Sequence, residues 1–266
     1  MSLNVTRVTR PENRISTYQY DARGWYLLAY TDPMTRTSRY GYDAYGNNTV
    51  VTDTSGAVTR FVYDAAGRLL SSTDPDNRTT TYPYDAADHR TTITDPLVRT
   101  TRLAYDANGN LSGVTNPAGN SRSYRYDALN QLLGITDEQG STIRYVYDEA
   151  GNLTAVSDPF GNQVQYAYDA LNRLTSEIDP QGQATVLQYN PLGDVTRRQD
   201  PDGRVSTYQY NAAGQMNLAD YADDDLTYGY DAAGNLIAVT GTQASLVYTY
   251  NQANQPTDVA ITIAGL

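Results

Sequence analysis

The chain is 266 residues long and acidic, with 30 Asp and Glu against 19 basic residues, all of them Arg, for a net charge of −11. That balance excludes a basic face for nucleic acid or for an anionic membrane surface. With no Cys and one His, composition also excludes a disulfide framework and argues against a zinc or haem site, so neither metal nor cofactor is expected.

The N-terminus, Met1 to Arg14, lacks a basic-then-apolar signal pattern, and Met1-Ser2-Leu3 reads as a remnant of expression ahead of an excised segment. No apolar run approaches the ~20 residues of a membrane helix, so membrane insertion is not expected. From Tyr20 onward one phrase, Tyr-Asp-x-x-Gly, organises the chain. Its leading tyrosines are Tyr20, Tyr42, Tyr63, Tyr84, Tyr105, Tyr126, Tyr147, Tyr168, Tyr189, Tyr210, Tyr230 and Tyr250. The steps between them are one of 22 residues, eight of 21 and two of 20. A period of this length marks a repeat array. Residues 1–266 are therefore expected to form a single array of about twelve units, clear over 10–255, with 256–266 a strand-like tail.

In the first two units Trp25, Tyr26, Tyr30 and Tyr45 fall off the repeating tyrosine positions and are the candidates for a local binding surface. The third unit, Tyr63-Asp64-Ala65-Ala66-Gly67, shows the motif in full, as do Tyr105, Asp106 and Gly109. The position four after each motif Tyr holds Gly24, Gly46, Gly67, Asp88, Gly109, Asn130, Gly151, Asn172, Gly193, Gly214, Gly234 and Asn254. Gly, Asn and Asp are the residues that tolerate φ > 0. This predicts a type I turn closed by a left-handed residue, the usual three-residue hairpin connection with a bulge. The unit at Tyr84 is degenerate and carries His89, which reads as an exposed turn residue beside no legible nucleophile or partner.

The unit beginning at Tyr147 is the best formed. Tyr147-Asp148-Glu149-Ala150-Gly151 is a turn and Asn152 to Ser157 a strand. Asp158-Pro159-Phe160-Gly161 suits a type I turn, and Asn162 to Tyr168 returns into Tyr168, Asp169 and Asn172. The returning strand alternates, with Val164, Tyr166 and Tyr168 on one face. A second aromatic or apolar residue precedes each motif Tyr by two, so 21 of the 25 tyrosines share one stripe. Neighbouring repeats are expected to bring these rings into cross-strand contact. The use of 25 Tyr against 2 Phe predicts a partly wet face where the hydroxyl finds a partner. The outgoing strand is led by an apolar residue such as Leu153, with another three later at Val156. That spacing needs a bulge, or two partly covered faces. Further on, Asp220, Asp223, Asp224 and Asp225 form an acidic cluster that reads as a solvated loop, with a weak cation site as the rival.

The fold class is all-β, an antiparallel β-hairpin array of about two dozen strands. Open twisted sheets seldom exceed ~10 strands without curling, which predicts a spiralling sheet or a shell- or barrel-like wall. A propeller needs blades of ~40 residues, and no alternation of paired repeats is visible. Uncapped ends expose strand edges to self-association. No catalytic residue emerges, because the repeated Asp suits a turn better than acid–base chemistry.

Units such as Arg60-Phe61-Val62-Tyr63-Asp64-Ala65-Ala66-Gly67-Arg68-Leu69 resemble the YD repeat of the Rhs (rearrangement hotspot) family, which teneurins share. The resemblance implies a bacterial polymorphic toxin, or the shell component of an insecticidal Tc toxin complex, in a secreted or cell-surface setting. It implies a non-enzymatic β-sheet wall around a C-terminal toxic domain, with the rest of the parent chain and that domain as partners. The alternative is a repeat module that binds glycan or protein through exposed tyrosines.

Overall fold

The computed structural model describes residues 5–11, 14–221 and 224–263; Met1-Ser2-Leu3 and Asp223 lie outside them. The chain divides into two compact units, Met1–Asn130 with Thr136–Gly140, and Gln131–Ile135 with Ser141–Leu266. Among the described residues there are 25 strands and no α-helix. The first unit runs β1 (Arg7–Arg10), β2 (Arg14–Tyr20), β3 (Leu27–Thr31), β4 (Thr37–Tyr42), β5 (Asn48–Thr52), β6 (Val58–Tyr63), β7 (Leu69–Thr73), β8 (Thr79–Thr81), β9 (Thr92–Thr94), β10 (Thr100–Tyr105), β11 (Leu111–Thr115) and β12 (Ser121–Tyr126). The division falls at β13 (Leu132–Thr136). The second unit continues with β14 (Thr142–Tyr147), β15 (Leu153–Ser157), β16 (Gln163–Tyr168), β17 (Leu174–Ile178), β18 (Ala184–Tyr189), β19 (Val195–Gln199), β20 (Val205–Tyr210), β21 (Met216–Asp220), β22 (Asp225–Tyr230), β23 (Leu236–Thr240), β24 (Ala244–Tyr250) and β25 (Pro256–Ile263). From β1 to β12 in the first unit, and from β14 to β25 in the second, successive strands pair antiparallel, as the all-β hairpin reading expects.

Both turns of a repeat are one and the same loop, where the sequence marked a left-handed residue only in the first. In the Tyr-Asp turn, the Gly151 N–H donates to the Asp148 carbonyl at 3.1 Å and the Asp148 N–H to the Asn152 carbonyl at 3.0 Å. In the Asp-Pro turn, Gly161 and Asp158 repeat those bonds at 3.1 and 2.9 Å, and Gly161 has φ 89°. All twelve positions four after the motif Tyr have positive φ, from 57° at Asn254 to 98° at Gly193. The steps that depart from 21 trace to single loops. The 22-residue step lengthens the first turn, where the Asp21 N–H donates to Tyr26 instead of to residue 25.

The second turn also places Thr35 and Val98 at φ 62°, a region costly for a β-branched residue. Val98 is 80% exposed, so its side chain gains little packing in return. Val98→Gly should therefore stabilise the first unit by about 1 kcal/mol, read as a raised urea midpoint. An unchanged or lowered midpoint would show that the loop carries no such strain.

A bulge opens outgoing strands such as β11, β15 and β17 and settles the three-residue spacing. Tyr147 faces Leu153 and Val146 faces Ala155, so Thr154 is the extra residue. Leu153 and Val156 then lie on one face, opposite Tyr147 and Tyr145. A bulge disrupts the ladder locally. The bulge hydroxyl compensates: Thr154 donates to the Val146 carbonyl at 3.2 Å and Thr175 to Ala167 at 3.1 Å. The pattern is weakest at the degenerate unit. There Pro83 supplies no N–H, β8 and β9 shorten to three residues each, and Tyr84 and Arg90 form an isolated bridge.

Each unit is a sheet one layer thick. Among the described residues only Ser16, Gly134, Ala155 and Ala219 are buried, and no large side chain is. The returning strands alternate accordingly: in β14 Tyr145 and Tyr147 are half-buried while Arg144 and Val146 are exposed.

Candidate functional site

The chemistry of the repeat is concentrated in its turn carboxylates and its tyrosine hydroxyls. Asp148 Oδ1 accepts the backbone N–H groups of Ala150 at 2.9 Å and Asn152 at 2.8 Å, and Oδ2 accepts Asn152 Nδ2 at 2.9 Å. Asp64 is held the same way by Ala66 and Arg68, with Arg68 Nε on Oδ2 at 2.6 Å. Asp106 uses Asn108 and Asn110, and Asp169 uses Leu171 and Arg173. These bonds favour the ionised form. The Asn152 side-chain and backbone donors hold the Asp148 carboxyl below its ordinary range; the Arg68 N–H and guanidinium do so for Asp64, and the Arg173 guanidinium for Asp169. A carboxylate so saturated with donors is a turn cap and not a proton carrier at neutral pH.

The sign of the linkage follows. A depressed folded-state pKa contributes stability above the unfolded value of about 3.9 and loses it as pH falls through the folded value. Stability should therefore hold through neutral pH and decline below about pH 4, as turn carboxylates such as Asp64, Asp148 and Asp169 protonate. A urea midpoint that stays constant from pH 6 down to pH 2 would remove this role from the turns.

Ring contacts such as Tyr26 on Tyr42 and His89 on Tyr105 join a motif tyrosine to a neighbouring turn residue, where a ladder of stripe tyrosines was the expectation. Adjacent strands lie about 4.8 Å apart, so the returning strands of successive repeats are separated by an outgoing strand and its Leu or Val. The hydroxyl bridges that gap instead. Tyr168 Oη donates to the Leu153 carbonyl at 3.0 Å, Tyr189 to Leu174 at 2.7 Å, and Tyr105 to Arg90 at 3.0 Å. Tyr42, Tyr210, Tyr230 and Tyr250 make the same bond to Leu27, Val195, Met216 and Leu236. Each tyrosine thus ties its repeat to the bulged strand of the one before, which only a ring with a hydroxyl can do.

The non-glycine left-handed residues have a second use that single repeats do not reveal. Asn110 Nδ2 reaches Asn130 Oδ1 at 2.8 Å, Asn152 reaches Asn172 at 2.9 Å, and Asn235 reaches Asn254 at 3.1 Å. Arg68 pairs with Asp88 in the equivalent place. So Asp88, Asn130, Asn172 and Asn254 accept a bond from the residue just past the left-handed position of the preceding repeat. A spacing of 19 or 20 residues between such side chains was the signal in the sequence.

The candidate surface residues separate. Tyr30 faces Tyr18 across β2 and β3 with ring centroids 5.1 Å apart, and Tyr26 stacks on Tyr42 at 4.8 Å, so both join the tyrosine face. Trp25 and Tyr45 stay on turn tips, 65% and 80% exposed, with the Arg23 guanidinium 5.3 Å from the Trp25 ring. His89 is less exposed than its turn suggested. Its ring stacks on Tyr105 at 4.5 Å and its Nδ1 lies 3.3 Å from Asp85 Oδ2. In the acidic cluster Asp224 caps Thr242 through its N–H and hydroxyl at 2.8 and 2.7 Å. Asp220 and Asp225 face each other across β21 and β22, and Asp225 is pushed up, by desolvation first and then by Asp220.

Residues 53–199 match the family model of the teneurin YD-shell, and residues 189–226 that of the RHS repeat. The chain belongs to the teneurin YD-shell family. No curated protein matches it. Among solved structures it is similar to a chain in the crystal structure of TcdB2-TccC3-Cdc42, with a TM-score of 0.66 at 18% identity over 92% of this chain. It is likewise similar to TcdB2-TccC3 without its hypervariable C-terminal region, with a TM-score of 0.66 at 18% identity over 95% of this chain. The YD-shell chain spans only 15% and 16% of those two chains, and at this identity the likeness is one of fold.

Proposed function

We propose that this YD-shell chain is a non-enzymatic length of wall, part of a single repeat array whose sheet encloses a toxin or effector domain of a longer polypeptide. The observation that carries the reading is that each unit is a one-layer sheet, whose half-buried tyrosine face no second layer of the same unit covers among the described residues. A face of that kind suits a lining better than an open surface. The turn carboxylates support a structural role, since their acceptor sites are filled by donors within the loop. Likeness to TcdB2-TccC3, which was also solved without a hypervariable C-terminal region, supports a cargo of that kind and a secreted or cell-surface setting. The partners are then the rest of the parent chain and the enclosed domain.

Protease protection in the longer polypeptide tests this. The enclosed domain should survive protease doses that digest the same domain expressed alone. Equal digestion of both would end the enclosure reading and leave the repeats as an outward binding surface.

A further inference from the structure

We propose that Arg90 is a recognition point on the tyrosine face for the carboxylate of an Asp or Glu side chain, carried by a polypeptide segment laid on that face. Arg90 stands six residues after Tyr84, a position that Leu69, Leu111, Leu153 and Leu174 fill in other repeats. It bridges directly to Tyr84 and therefore shares the face of that ring. Its guanidinium lies 4.8 Å from the Tyr82 centroid and 5.7 Å from that of Tyr84, and Nη2 donates to Tyr84 Oη at 3.3 Å. Nε is buried with no acceptor.

The other charges nearby are already committed. Asp64 and Asp88 both bind Arg68, and Asp85 binds the His89 backbone and ring. Arginines elsewhere on this face have their own carboxylates. Arg122, opposite Val114, lies 3.7 Å from Glu138, and Arg198, opposite Leu187, lies 2.8 Å from Asp200. Among the described residues Arg90 makes no such ion pair. A guanidinium offers five donors in a planar fork that matches a carboxylate, and flanking rings fix its plane and exclude water.

A second replacement points the same way. Asn48 holds the corresponding position after Tyr42, and its Oδ1 is also buried without a partner. The first unit thus presents a donor and an acceptor where its neighbours present Leu. A net charge of −11 disfavours a polyanion such as nucleic acid or a phosphorylated surface. A single carboxylate on an otherwise uncharged peptide satisfies both the guanidinium and the rings around it. The inference goes beyond enclosure, because it concerns what the face binds and not whether a wall closes around it.

The test uses two capped tripeptides, Ac-Leu-Glu-Leu-NH2 and Ac-Leu-Gln-Leu-NH2, titrated into the full chain while the Arg90 Nε–H resonance is followed by NMR. The Glu peptide should give a saturable shift, with the Gln peptide about tenfold weaker. Arg90→Leu places the usual residue of that position, so it should keep or raise the unfolding midpoint while losing the preference for Glu. Arg90→Lys should keep the charge and bind less tightly for want of the fork. Equal response to the two peptides, no response to either, or a Glu preference that survives in Arg90→Leu would each overturn the proposal.

Discussion

Gly46→Ala should destabilise the first unit by about 1–3 kcal/mol more than Gly161→Ala destabilises the second. Both glycines close the same loop at nearly the same dihedral, φ 92° and 89°. Each substitution therefore meets the same left-handed penalty, about 1–2 kcal/mol for a residue with a Cβ. They differ in what the new methyl would touch. At Gly161 nothing lies within 4 Å. At Gly46 it would meet the Tyr26 hydroxyl and come within 2.8 Å of Tyr26 Cζ. Tyr26 cannot swing away freely, because its ring is stacked on Tyr42 with planes 28° apart. Relief requires breaking that stack or moving the loop, and overpacking of this kind is what the difference measures. Hydrogen exchange of the amides in β4 and β16 reads the two units separately, which suits a repeat whose stability is built from neighbouring contacts. Equal losses at the two sites would mean that Tyr26 is not seated against the loop.

The repeat was legible in the sequence wherever a residue type has one physical use. Only Gly, Asn and Asp tolerate φ > 0 cheaply, so twelve such residues in register announced twelve left-handed positions, and all twelve have positive φ. The second turn hid the same requirement, because Thr35 and Val98 break the residue rule while keeping the conformation. There the loop's own hydrogen bonds, such as Val98 N–H to the Asp95 carbonyl at 2.9 Å, impose a backbone that propensity opposes. The bulge was legible only as a paradox, an apolar spacing of three within a strand. A one-residue insertion is invisible without the opposite strand, and Tyr147 facing Leu153 supplies it.

The functional residues were read less completely, for a related reason. Contacts between repeats join residues about 15 or 20 positions apart, and sequence patterning within one unit does not show which atoms meet. The tyrosine stripe suggested rings packing on rings, whereas the hydroxyls of motif tyrosines such as Tyr168 and Tyr189 find a backbone carbonyl that any residue could supply. Tyr30 looked displaced from the stripe because it lies on an outgoing strand, yet the register sets it opposite Tyr18. Arg90 gave a plainer signal, a charged residue in a column of leucines, but its value depends on the two rings that flank it.

Tyr189 is where the hydroxyl and the ring can be weighed separately. Its Oη donates to the Leu174 carbonyl at 2.7 Å, and Leu174 is the residue opposite Tyr168 at the bulge. The Arg173 guanidinium lies 4.7 Å from the ring centroid and is itself anchored to Asp169 and to the Asn190 carbonyl. Tyr189→Phe keeps the ring and the cation contact but leaves the half-buried Leu174 carbonyl without its donor, a loss of about 1–2 kcal/mol. Tyr189→Ala removes ring packing as well and should cost about 3 kcal/mol. Tyr166→Phe is the control, for Phe61 stands naturally at the same place in another repeat, so its effect should stay within about 0.5 kcal/mol. Urea midpoints of the three variants order the contributions. If Tyr189→Phe matched the Tyr166→Phe control, the hydroxyl bond between repeats would contribute nothing, and the use of Tyr over Phe at all twelve motif positions would need another cause.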